Sequence, residues 1–251
     1  MPTRLPSSVP AALEIHVVPD AAALAEAGAL EFARAASDTL EDREIFRVVL
    51  SGGSTPRALY TRLTRGPFRR LIRWDRVRFF FGDERCVPPD HERSNYRMAR
   101  EALFDPLQIP AAHVLRMKGE TVPTRAARNY EEALRRRFSG RPARFDFIFL
   151  GLGEDGHTAS LFPGTAALTE RRRLVAANEV PKFSEWRLTL TFRALNAARR
   201  VVFLVSGPEK ASAAAKILKK ERGYRDLPAA GVLPPRGTLL WLLDEAAASK
   251  L

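Results

Sequence analysis

The chain has 251 residues, 45% of them hydrophobic and 28% charged, which excludes a disordered chain and allows one sizeable α/β domain or two small ones. No apolar run approaches the ~18 residues that cross a membrane. The first residues, MPTRLPSSVPAALEIHVVP, lack the apolar stretch of an export signal, and a lone cysteine, Cys86, excludes an intrachain disulfide and fits a reducing cytoplasm.

Strands and helices are predicted in alternation. Glu14–Val18 reads as a short edge strand containing His16, and Asp20 caps an Ala-rich helix running to about Ser37. Arg47–Leu50 is a strand; the loop SGGSTP leads from it into a helix from Pro56 to about Arg65. Val77–Phe81 is a strand that opens into the loop GDER, and Ser94 caps a helix over Asn95–Phe104. Thr124–Phe138 is helical, with Ala127, Tyr130 and Leu134 on one face. Phe145–Leu150 is a buried strand, whereas Arg187–Phe192 alternates Leu188, Leu190 and Phe192 inward like a half-exposed one. Val201–Val205 is a strand before a helix over Glu209–Lys220, which puts Ala211, Ala214, Ala215 and Leu218 on one face. Thr238–Leu243 is the last strand, and Asp244 opens a short final helix. This order predicts a three-layer α/β fold, a mostly parallel sheet with helices on both faces. Without a repeat or a composition break, residues 1–251 read as a single domain.

The formal charge of +12, from 41 basic and 29 acidic residues, invites a nucleic-acid reading. The arginines, however, are spread among acids (Arg34, Arg43, Arg69, Arg100, Arg128, Arg135, Arg199), with no basic tail and no aromatic–basic interleaving. The expected partner is therefore an anionic small molecule, not nucleic acid or membrane.

In parallel α/β folds ligands bind outside the carboxyl ends of the strands. At the end of Phe145–Leu150 the turn Gly151–Gly156 delivers His157. Its unperturbed pKa, about 6.5, suits a general base, and Asp155 is placed to orient the turn or the imidazole. The glycines Gly151, Gly153 and Gly156 also match G-x-G-x-x-G, but a dinucleotide site needs a long helix next. Pro163 and Gly164 interrupt it, and TERRRLVAANEV shows no strand ending in the required acid. In SGGSTP, Gly52 and Gly53 let the backbone approach a ligand, Ser54 or Thr55 can cap the helix, and Pro56 fits its first turn. Free N–H groups at the positive end of the helix dipole make this a phosphate site. Arg85 in GDER can pair bidentately with phosphate or carboxylate. Lys210, in the first turn of its helix, opposes the dipole unless an anion is present. His91 and His113 fall in loops. No spacing resembles a zinc site, no G-x-S-x-G elbow is present, and no base stands beside Cys86 to activate it.

Together LSGGSTP, GDERCVPPDHERSNY, LGLGEDGHTASLFPG, RLTLTF, VSGPEKA and LPAAGVLPPRGTLLWLLDEAA resemble the 6-phosphogluconolactonase family, in the family's order and over most of the chain. That family belongs with the glucosamine-6-phosphate isomerases/deaminases. The resemblance implies a deaminase-like three-layer fold and metal-independent, cofactor-free hydrolysis of 6-phospho-D-glucono-1,5-lactone in the pentose phosphate pathway. It adds Ser160 and Arg187 to the substrate-binding set of Gly52, Gly53, Ser54, Thr55, Arg85 and Lys210, beside catalytic His157 and Asp155. The sister deaminases read DGHIAFNEP, with a glutamate five positions after the histidine. Here that position is Phe162, which disfavours amine chemistry. The family's PKPP-like segment before the RLTLTF strand is PKFSEW here. A monomer or small homo-oligomer is expected.

Overall fold

The computed structural model describes residues 12–140 and 142–251, so residues 1–11 of the stretch read for an export signal lie outside the described residues. Nine strands are described: β1 (Ala12–Val18), β2 (Phe46–Leu50), β3 (Val77–Phe81), β4 (Asp83–Arg85), β5 (Phe147–Gly151), β6 (Val175–Val180), β7 (Glu185–Leu190), β8 (Arg200–Val205) and β9 (Thr238–Asp244). Six form one wholly parallel sheet in the order β1-β9-β8-β5-β2-β3. From β5 the chain continues to β8 on one side, while β2 and β3 lie on the other. The β2/β5 boundary is thus the switch point where such sheets open a crevice.

Packing follows from the apolar runs. In β5, Phe147, Ile148, Phe149 and Leu150 are fully buried. Helix α1 (Ala21–Asp42), capped by Asp20 through Ala23 N–H, lays Leu24, Gly28, Phe32 and Ala36 along the sheet. Phe32 meets Phe46, Phe147 and Phe149 at ring-centroid distances of 5.4, 5.9 and 6.0 Å. Burying each such side chain contributes about 1.5–3 kcal/mol. The described helices are too short or too polar to cross a membrane.

Several expectations need correction. GDER is a strand: β4 pairs antiparallel with β7, and β7 with β6, in a second, three-stranded sheet. In β6, VAANEV, fully buried Asn178 interrupts the apolar positions between buried Val175 and Val180, so no clean apolar alternation marks the strand. β7 is buried from Arg187 to Leu190, not half-exposed, and Phe192 belongs to the following helical turn. The helix capped by Ser94 is α-helical only over Asn95–Ala99; it widens to a π-helix over Arg100–Phe104. No helix follows Gly156; the chain turns repeatedly as far as Thr165, which removes the dinucleotide reading.

Candidate active site

The carboxyl ends of β2, β5 and the adjoining β4 enclose a cavity of about 190 Å³. Its wall is Ser51, Gly52 and Gly53 after β2, Asp83 and Arg85 on β4, Asn95, and the β5 turn with Gly153, His157 and Ala159.

Two buried tyrosines set the loops. Ser51 N–H donates to Tyr60 Oη, which donates back to Ser51 O, both at 2.9 Å. Phe81 N–H donates to Tyr130 Oη at 2.9 Å, just before β4. Burial pushes both phenols well above their usual acidity range, so they stay neutral. Helix α2 (Ser54–Leu63) is capped by the backbone of Gly53 at φ 110°, without a side-chain cap, rather than by Ser54 or Thr55. Ser54 and Thr55 are instead its first residues, where N–H groups have no intrahelical acceptor. The anion site expected there keeps its donors, and the left-handed φ explains a glycine at 53.

His157 sits on the β5 turn as the sequence places it. Its Nδ1 lies 2.5 Å from Asp155 Oδ1, which also accepts the His157 backbone N–H at 3.2 Å. An ionised carboxylate there makes Nδ1 the protonated nitrogen and leaves Nε2 to accept a proton. The imidazole stacks on Phe162, centroids 4.1 Å apart. Gly153 is required by close approach: a Cβ there would stand 2.0 Å from Nδ1. Burial pushes the Asp155 carboxyl up, but hydrogen bonds from Lys182 Nζ, 2.9 Å away, and from His157 outweigh it and hold it at about 2.

Of the expected cations, Arg85 lines the cavity with His157, whereas Arg187 and Lys210 are not part of its wall. Arg85 and Arg187 face each other across β4 and β7. Arg187 is 8% exposed, and neither residue's Nε has a hydrogen-bond partner. Burial, then the Arg85 charge, holds the Arg187 guanidinium below its usual range. Arg187 also meets Glu185 Oε2 at 3.1 Å, and partly buried Arg85 donates to the Arg93 carbonyl. Lys210 lies in a 3₁₀ turn before the helix Ala211–Leu218, 3.7 Å from Glu154 and from Glu209. Its charge is thus partly met by two carboxylates. Ser160 is 1% exposed and donates its hydroxyl to Asp83 at 2.6 Å, so the structure places it behind the wall, fixing Asp83.

Sequence reasoning missed Asp83, Asn95 and Lys182. Asp83 and Arg85 alternate onto the cavity side of β4, a signal visible only once GDER is known to be a strand. Asn95 Nδ2 donates to the Asp83 carbonyl at 3.0 Å, while its backbone N–H donates to buried Glu84. Burial pushes the Cys86 thiol up to about 11, unsuited to nucleophilic work at neutral pH. Among the described residues no group of three or more His, Cys, Asp or Glu is placed to hold a metal ion.

Residues 19–241 match the family model of glucosamine-6-phosphate isomerases/6-phosphogluconolactonase. The chain belongs to this family. It is 43% identical over 208 residues to the 6-phosphogluconolactonase of Synechocystis sp., covering 81% of this chain and 84% of that one. Its identity to the Nostoc sp. 6-phosphogluconolactonase is 38% over 242 residues, with 94% and 98% covered. The solved 6-phosphogluconolactonase of Trypanosoma brucei superposes with a TM-score of 0.84 at 30% identity, covering 98% of this chain and all of that one. Phe162, five positions after His157, stacks on the imidazole and brings it no carboxylate.

Proposed function

We propose that this chain hydrolyses 6-phospho-D-glucono-1,5-lactone to 6-phosphogluconate, with His157 as general base. The observation that carries the mechanism is the Asp155–His157 pair at the sheet's switch point, with Nε2 left to accept a proton and Arg85 lining the same cavity as His157. A δ-lactone is a reactive ester. It needs an activated water and a stabilised oxyanion, not a covalent nucleophile. His157 Nε2 takes a proton from water as the oxygen adds to the lactone carbonyl. Asp155 holds the imidazolium that forms. The tetrahedral intermediate then collapses, the ring C–O bond breaks, and the imidazolium returns its proton to the leaving oxygen. The phosphate, remote from the carbonyl, anchors the substrate on the N–H groups of Gly53–Thr55 and on Arg85 and Lys210. Binding energy there orients the reacting end. The reading places the reaction in the cytoplasm, where the unpaired Cys86 meets a reducing medium.

The test is an assay on freshly prepared lactone, corrected for spontaneous hydrolysis, beside a second assay for ammonia release from glucosamine 6-phosphate. Accelerated lactone loss without ammonia is expected. Folded protein that leaves the lactone rate at its spontaneous value, or that releases ammonia, overturns the reading.

A further inference from the structure

The turn between β6 and β7, residues 181–184, reaches back from the small sheet to the catalytic turn. Lys182 Nζ lies 2.9 Å from Asp155 Oδ2, the oxygen that His157 does not use. Phe183 packs edge-on against Phe162 at 5.6 Å, and Phe162 is the ring on which His157 is stacked. The Arg187 guanidinium in turn lies 5.6 Å from the Phe183 ring centroid. We propose that Lys182 is a positioning residue for the reaction: it clamps the free oxygen of Asp155 and thereby sets the pH at which His157 is a competent base. The inference rests on the reading of His157 as general base.

A carboxylate torsion is broad and two-fold, so one hydrogen bond leaves its plane loosely defined. With His157 Nδ1 on one oxygen and Lys182 Nζ on the other, one orientation is selected. Charge adds a second effect. The ammonium repels a proton on the imidazole and shares the carboxylate that would otherwise stabilise it. Among the described residues, the other charged groups lining the cavity with His157 are Asp83 and Arg85 on β4; Glu154, next to Asp155, is 3.7 Å from Lys210. Only Lys182, Asp155 and His157 form a continuous hydrogen-bonded row. The Lys182 side chain is 58% exposed, and such an ion pair adds little to stability, so its loss leaves the fold standing.

The experiment compares wild type with Lys182→Gln and Lys182→Arg. It measures kcat/KM against pH and follows the four histidines by NMR titration. In Lys182→Gln the acid limb of the rate profile and the His157 titration should rise together by about half a pH unit to one. Below the limb the rate then falls about three- to tenfold more than on the plateau, where only the looser Asp155 orientation is felt. Lys182→Arg should restore the wild-type limb. A Lys182→Gln variant whose His157 titration does not move overturns the proposal, as does a uniform loss of rate at every pH. If the titration moves and the rate profile does not, the coupling stands and the general-base reading fails instead.

Discussion

Asp155 is pulled two ways. Burial favours its neutral form, Lys182 and His157 favour the carboxylate, and the second influence wins, at about 2. Because the folded value is depressed, the stability it contributes is present above the unfolded value near 3.9 and is lost as pH falls toward 2. Asp155→Asn should present an amide that can donate to Nδ1, favour the wrong tautomer, and lower kcat on the order of 10²–10⁴-fold with the fold intact. A folded variant with more than a tenth of wild-type kcat contradicts that role. Arg85→Ala and Lys210→Ala should each cost about 2–3 kcal/mol of phosphate recognition. The ratio of kcat/KM for the phosphorylated lactone over plain gluconolactone measures this and should narrow in each variant. Equal slowing of both lactones would place that residue at the carbonyl. His157, Asp155 and Arg85 stand out in the sequence because each lies in a short contiguous motif, the first two on the β5 turn and Arg85 on β4. Lys182 does not, because it meets Asp155 from 27 positions away, through a turn whose path no local pattern fixes.

The parallel strands were legible element by element because each is a short apolar run between turn residues. β4 and β6 were hidden for a different reason: their inward positions carry Asp83 and Asn178, whose hydrogen bonds, not apolarity, make burial possible. The loop anchors were hidden likewise, since Tyr60 and Tyr130 look like ordinary core aromatics until their hydroxyls are followed. Tyr60→Phe should leave the Ser51 N–H buried without its acceptor, at a cost of about 1–3 kcal/mol. Thermal denaturation should show a Tm lowered by several degrees, and KM should rise because the SGG loop loosens. A variant with wild-type Tm and KM would mean that Tyr60 does not hold the loop. In the β5 turn, Gly153→Ala should push the imidazole aside and reduce kcat far more than it reduces Tm.

At the level of the molecule the two sheets meet at the site. Asn178 on β6 donates to Ser160 O at 2.8 Å, and Ser160 donates to Asp83 on β4. The small sheet thus both walls the cavity and, through Lys182 on the β6–β7 turn, reaches Asp155. Its existence was the largest feature that sequence alone did not disclose, because antiparallel pairing between segments a hundred residues apart leaves no periodic trace. Asn178→Ala should lower stability by about 1–3 kcal/mol while calorimetry still shows one transition; two separated transitions would mean that the sheets fold independently. The most direct measurement is the hydrolysis of fresh 6-phosphogluconolactone by wild type and by His157→Ala, each corrected for the spontaneous rate. Wild type should accelerate the reaction strongly, and folded His157→Ala should retain less than about one hundredth of that acceleration. A folded His157→Ala variant that keeps more than about a tenth would contradict the assignment of His157 as the base.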